Sequence, residues 1–213
     1  MSKSVLAIFA SACISAVSAN GSCAKLNKLP EPKLMPDDQE FAAKNLTGLW
    51  FEYVWSPNFQ DSLDYGCSMW TLLTDTSDED IVVFNHMHFP ENKEDSEEEK
   101  KTGSFKQFKV NFDGPNMSYT RHETREASAV QARSMHIAAT DYGSFMIAAS
   151  CRDEHLPEGQ DAVMDWVVLT RDKQPSRFMR QKMRALALEA GAPVDSLTKG
   201  PLVACWGEDM FGK

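Results

Sequence analysis

Apolar residues in this chain recur mostly at every second position, in short runs broken by turn residues, and that period predicts strands. The clearest run is Gly48-Leu49-Trp50-Phe51-Glu52-Tyr53-Val54-Trp55, dense in aromatic residues and stopped by Ser56-Pro57. Alternation puts Trp50, Glu52 and Val54 on one face and Phe51, Tyr53 and Trp55 on the other. Both faces carry bulk, which suits a wall packed inside and covered outside. Further strands are predicted over Cys67 to Thr74, Ile81 to Phe89, Ser104 to Phe112, Met117 to Glu123, Arg133 to Thr140, Ser144 to Cys151 and Ala162 to Thr170. With the opening run these make eight, the number of a closed up-and-down antiparallel barrel that holds one small ligand and leaves no edge exposed. A flat sandwich has the same strand count, and periodicity alone does not separate the two.

The period changes over Pro175 to Ala190, where Met179, Met183, Leu186 and Ala190 are spaced by four, three and four, predicting one amphipathic helix ended by Gly191 and Pro193. Lys199 to Trp206 is then a short final strand. Before the barrel, Lys28 to Pro36 is proline-spaced and extended, and Asp37-Asp38-Gln39-Glu40-Phe41 predicts a capped helical turn. At the start, Lys3 precedes an apolar run from Val5 to Val17, and Val17-Ser18-Ala19 fits a small-x-small cleavage site. Residues 1–19 are therefore read as a secretory signal peptide, too short in its apolar part to span a bilayer, and residues 20–213 as a single domain.

Four stretches in order carry a family resemblance. Gly48-Leu49-Trp50 resembles the Gly-x-Trp signature of the lipocalins, Thr140-Asp141-Tyr142 their turn between the sixth and seventh strands, and Leu169-Thr170-Arg171-Asp172 the arginine region ending the eighth. The spacing of Cys23, Cys67, Cys151 and Cys205 is similar to that of the apolipoprotein D and bilin-binding branch. The resemblance implies an all-β eight-stranded barrel with one helix packed outside, and a secreted carrier of a small hydrophobic molecule. It implies disulfides Cys23–Cys151 and Cys67–Cys205, which the sequence alone does not choose among three connectivities. It also implies that Trp50 and Arg171 pack at the closed end of the barrel, as scaffold rather than ligand contacts.

Charge adds an exclusion: with 31 acidic and 22 basic residues the net charge of -9 argues against nucleic acid or an anionic membrane surface as a partner. Cys13 leaves with the leader, so the mature chain keeps four cysteines, an even number suited to an oxidising compartment. Asn45-Leu46-Thr47 and Asn116-Met117-Ser118 are glycosylation acceptor patterns that a secreted chain can use, Asn116 in a turn being the more accessible.

Function is expected in the lumen. If disulfide cysteines point outward, the candidate ligand-binding positions are Ser68, Trp70 and Leu72 on the Cys67 strand and Phe145, Ile147 and Ala149 on the Cys151 strand. The opening strand adds Glu52 and Val54, the last strand Val167 and Leu169, and alignment with the family Val83, Asn85 and Met87. This lining is apolar with three polar points, Glu52, Ser68 and Asn85. An inward Glu52 needs a hydrogen-bond partner or a proton, and serves either the barrel floor or a polar end of the ligand. An aromatic, methionine-rich lining suits a flat conjugated cargo such as a tetrapyrrole or carotenoid better than a saturated chain, with a lipid or retinoid-like molecule as the other cargo class. No resident cofactor is required.

Other chemistry is weakly represented. His86 and His88 share one strand face but lack a third ligand nearby, so no metal site is assigned, and alignment with the family puts both outward. No Ser or Cys sits in a nucleophile motif, and isomerases of this family use an unpaired luminal Cys, so the chain is read as a non-enzyme. The alternatives are such an isomerase, or an extracellular interaction module working through the acidic loop Glu91 to Lys101 or the helix, with a cell-surface receptor or a second copy of the chain as partner.

Overall fold

The computed structural model describes residues 26, 28–35, 40–56, 65–74, 81–90, 104–121, 133–152 and 163–200, with backbone alone for 81–90 and for several strand ends. The leader, Cys23, the acidic loop and Cys205 lie outside the described residues. Ten strands are numbered in chain order: β1 (Lys33–Leu34), β2 (Gly48–Trp55), β3 (Tyr65–Thr74), β4 (Ile81–Pro90), β5 (Ser104–Asp113), β6 (Asn116–Arg121), β7 (Arg133–Thr140), β8 (Phe145–Arg152), β9 (Val163–Thr170) and β10 (Thr198–Lys199). The pairing order β7-β6-β5-β4-β3-β2-β9-β8 returns through a β7–β8 ladder to its start, so eight antiparallel strands close a ring. The predicted barrel is present, and the sandwich is excluded.

The two short strands brace the wall at opposite ends of the sequence. β1 pairs parallel with β7, Lys33 opposite Ala139, where only an extended segment was expected. β10 pairs with β2 at Thr198–Trp55 and Lys199–Val54, beyond the stretch in which β2 pairs with β3 (Gly48 to Phe51). β10 thus fills the gap left where β2 and β3 part; the rest of the strand expected over Lys199 to Trp206 lies outside the described residues. A 3-10 turn is present at Ala43–Leu46, while most of the helical turn expected over Asp37 to Phe41 lies outside the described residues.

Two apolar clusters divide the residues into an inner and an outer core. The inner one collects Leu46, Trp50, Trp55, Trp70, Leu72, Phe108, Met117, Met135, Met146, Val167 and Leu169, contributed by seven of the barrel strands and the 3-10 turn. The outer one joins Phe145, Ile147, Ala149, Trp166 and Val168 to Met183, Leu186 and Ala187 of the helix α1 (Arg177–Glu189). Helix α1 begins at Ser176, whose hydroxyl accepts the Met179 amide, and ends before Gly191 at φ 92°, as the sequence predicts. Among the described residues no helix is long and apolar enough to cross a membrane.

His136 fixes the N-terminal lead-in to the wall: its Nδ1 lies 2.9 Å from Asn116 Oδ1 and its Nε2 3.2 Å from the Pro30 carbonyl. Burial pushes its pKa below 6.5, outweighing the Pro30 carbonyl and the Glu31 charge that raise it. The unfolded chain therefore holds the proton more tightly than the folded one. The stability contributed by the neutral ring is complete above about pH 6.5 and is lost as pH falls toward the folded value. Urea midpoints measured at pH 7.5 and pH 5 should fall on acidification for the natural chain and fall less for His136→Gln. Equal falls would show that His136 carries none of the pH dependence.

Candidate functional site

The closed end of the barrel is built around Arg171. Its guanidinium carbon sits 3.6 Å from the centre of the Trp50 ring, and the Trp50 indole donates to Leu46 O at 2.7 Å. Nη1 donates to Leu49 O at 2.8 Å, and Nη2 to Thr47 O at 2.6 Å, Tyr142 O at 3.3 Å and Leu46 O at 3.4 Å. One side chain thus gathers carbonyls from the lead-in, β2 and the β7–β8 turn. Burial brings its pKa down to about 10, which the Asp141 charge opposes, and the group stays charged at neutral pH. Gly48 permits the approach, since its φ is 102° and a Cβ there would stand 2.9 Å from Nη1.

Thr140, Asp141 and Tyr142 form the adjoining turn. Thr140 Oγ1 donates to Phe145 O at 2.8 Å and accepts the Tyr142 amide at 2.9 Å. Asp141 Oδ1 accepts the amides of Ser144 and Phe145 at 2.7 and 2.9 Å. Tyr142 takes φ 60°, and its hydroxyl accepts the Ala42 amide at 3.0 Å. Below, the Phe41 ring packs in tilted pairs against Phe112 and Tyr142, with centroids 6.3 Å apart in each. Six signature positions spread over 124 residues therefore meet at one end, and they build scaffold there.

Above this floor the inner wall carries Glu52, Ser68, Trp70, Leu72, Val167 and Leu169, all buried, as alternation predicts. Glu52 accepts a hydrogen bond from the Trp70 indole, which supplies the partner that a buried carboxylate requires. Polar points that sequence reasoning missed are Ser150, Asp165 and Trp55. Ser150 pairs with Asp165 across β8 and β9, in phase with inward Ala148 and Val167, and all four are buried.

Three sets of expected lumen residues lie elsewhere. Phe145, Ile147 and Ala149 are an even number of positions from Cys151, share its outward face and pack beneath α1; Met146 and Ala148 face inward instead. Val54 is outward because the β2–β9 register shifts between Glu52 and Val54, a bulge that turns both Tyr53 and Val54 out and Trp55 in. On β4 the register sets Val83, Asn85 and Met87 opposite Leu73, Thr71 and Met69, the face away from Trp70 and Leu72. Phe84, His86 and His88 occupy the alternate positions, opposite Leu72, Trp70 and Ser68, so the two histidine positions share the inner face rather than the outer one.

Cys67 and Cys151 are each disulfide-bonded, and both are buried. Asn45 and Asn116 are exposed, the latter at the start of β6. Among the described residues no group of three or more His, Cys, Asp or Glu is placed to hold a metal ion.

No protein-family profile matches the chain, and no curated protein matches it in sequence. Solved structures do. Insecticyanin from the tobacco hornworm Manduca sexta superposes with a TM-score of 0.60 at 10% identity, covering 76% of this chain and 81% of that one. Lobster apocrustacyanin A1 gives 0.57 at 16% identity, over 89% and 93%. The cockroach allergen Per a 4 gives 0.56 at 12% identity, over 77% and 90%. At such identities the likeness is one of architecture, and with the motifs assembled at its closed end the chain has the lipocalin fold.

Proposed function

We propose that this protein is a secreted lipocalin that carries a small hydrophobic molecule in its lumen without transforming it. The observation that supports this most is the inner wall itself. Trp55, Trp70, Phe108, Tyr119, Met117 and Met135 turn aromatic and thioether surface toward one another from five strands, and all are buried. Such surface stacks on a flat conjugated body, so a tetrapyrrole or carotenoid is the favoured cargo, with a lipid as the simpler one. Trp55 adds a handle: its indole Nε1 is buried and makes no hydrogen bond among the described residues. A cargo bearing a carbonyl or carboxyl oxygen would accept that proton and offset a cost of about 1 to 3 kcal/mol for leaving it unmade.

The outward, bonded Cys67 removes the thiol that an isomerase of this fold would need, and supports the carrier over the enzyme. The pairings Cys23–Cys151 and Cys67–Cys205, cleavage of residues 1–19 and glycosylation at Asn45 and Asn116 belong to the same proposal of a secreted chain.

Mass spectrometry of an organic extract of the native protein, with its absorption spectrum, tests the reading: a co-purifying apolar molecule is expected. A protein that carries nothing and binds no apolar probe would instead be an interaction module. Trp70→Ala should weaken binding of a fluorescent apolar probe by at least about 1 kcal/mol. Unchanged affinity would place the cargo away from Trp70.

A further inference from the structure

A cavity of about 240 Å³ lies outside the barrel, between α1 and the outer wall. It exists because of the bulge in β2. In a regular strand Tyr53 and Val54 would face opposite ways; here both point outward and form the floor with Val168 of β9. Helix residues Met183 and Ala187 make one side, and Val194 and Leu197, in the turn that leads to β10, make the other. The interior is therefore apolar.

Its rim is cationic. Arg180, Arg184 and Lys199 are the charged residues that line it, and none of the lining residues is acidic, in a chain with 31 acidic and 22 basic residues. Arg184 pairs with Asp195 at 2.7 Å, but the side chains are 60% and 90% exposed, so the pair is weak and readily exchanged. Lys199 Nζ lies 5.8 Å from the Tyr53 ring centre. Arg180 has no ion-pair partner among the described residues.

We propose that this cavity binds a small amphipathic carboxylate, its hydrocarbon body on Val54, Val168 and Met183 and its head at Arg180 and Arg184. Three features select that class over others. The space is smaller than the roughly 300 Å³ at which pockets for drug-sized ligands begin, so the body is short, on the order of eight carbons. The helix and the turn wall it on two sides, which keeps out a membrane or a folded partner. The charges sit at one edge of an apolar floor, so a single anionic head with an uncharged tail satisfies both. The site is separate from the lumen: β2 and β9 lie between them, with Trp55 and Val167 facing one way and Val54 and Val168 the other.

The methionines make the two sites distinguishable in one measurement, since Met183 lines the outer cavity while Met117, Met135 and Met146 line the lumen. The full chain, labelled with 13C at its methionine methyls, is titrated with octanoate and, separately, with octan-1-ol. The expected result is a saturable shift of the Met183 methyl with octanoate, at least about fivefold weaker with octanol and in Arg180→Glu. Arg180 is exposed, so that variant should fold, and its unaltered luminal methionine signals verify this. An unmoved Met183 overturns the proposal, and so does a shift that is equal for acid and alcohol or unchanged by Arg180→Glu. Movement of the luminal methionines alone overturns it while supporting the carrier reading; movement of Met183 alone supports it and leaves the carrier reading to the organic extract and the apolar probe.

Discussion

Replacing Arg171 with methionine should lower the unfolding free energy by about 3 to 5 kcal/mol. Methionine keeps an unbranched stem of similar reach but removes every donor. The carbonyls of Thr47, Leu49 and Tyr142, together with that of Leu46, then lose the guanidinium hydrogens, and Trp50 loses the cation over its face. Desolvation strengthens that last contact toward the upper part of its range of about 0.5 to 2 kcal/mol. Arg171→Lys should recover less than half of the loss, because one ammonium cannot serve carbonyls that the planar fork reaches from both Nη atoms. Urea unfolding followed by tryptophan fluorescence measures both variants. A loss below about 1 kcal/mol for Arg171→Met would mean that water serves those carbonyls equally well.

Gly200→Ala should cost about 3 kcal/mol or more, a large effect for one methyl group. A Cβ at this position would stand 2.1 Å from Cζ3 of Trp55 and 2.5 Å from the Glu52 carbonyl oxygen. The carbonyl belongs to the bulged strand and the ring to the inner core, so neither can retreat without breaking other packing. The Gly200 amide meanwhile donates to Tyr53 O at 2.8 Å, holding the chain in place behind β10. Gly143→Ala is the matched control: the nearest atom to its Cβ is Asp141 O at 3.8 Å, and the change should stay within about 0.5 kcal/mol. If Gly200→Ala were equally silent, the chain near β10 would have to move freely off the wall.

The contrast between what the sequence disclosed and what it hid follows from the range of each signal. Strands, helix and closed end were legible because their cues are local: alternation, a change of period, a Gly before a Trp, and an Asp placed to accept amides three and four residues on. Which face of a strand turns inward is also local in principle, and Trp70, Leu72, Val167 and Leu169 were placed on that basis. It failed where the count of two was broken or misapplied. Nothing in Glu52-Tyr53-Val54 announces an extra residue, because a bulge without glycine has no composition of its own. Phe145, Ile147 and Ala149 look like lining because they are as apolar as lining, yet their even count from Cys151 puts them on its outward face, where α1 covers them. For β4 the family alignment was one residue out of phase, and only the ladder to β3 shows it. The outer cavity has no signature at all, being made by the bulge, the helix and the turn after it together.

The plugged floor has a further consequence for any carrier of this design. With Arg171, Trp50, Leu46 and the three rings stopping one end, the barrel is a blind vessel and not a pipe. An elongated guest of such a carrier would go in with one tip leading and come out with the same tip last. Loading would then sort molecules by which tip tolerates the bottom, and two isomers of equal greasiness but reversed polarity would be told apart.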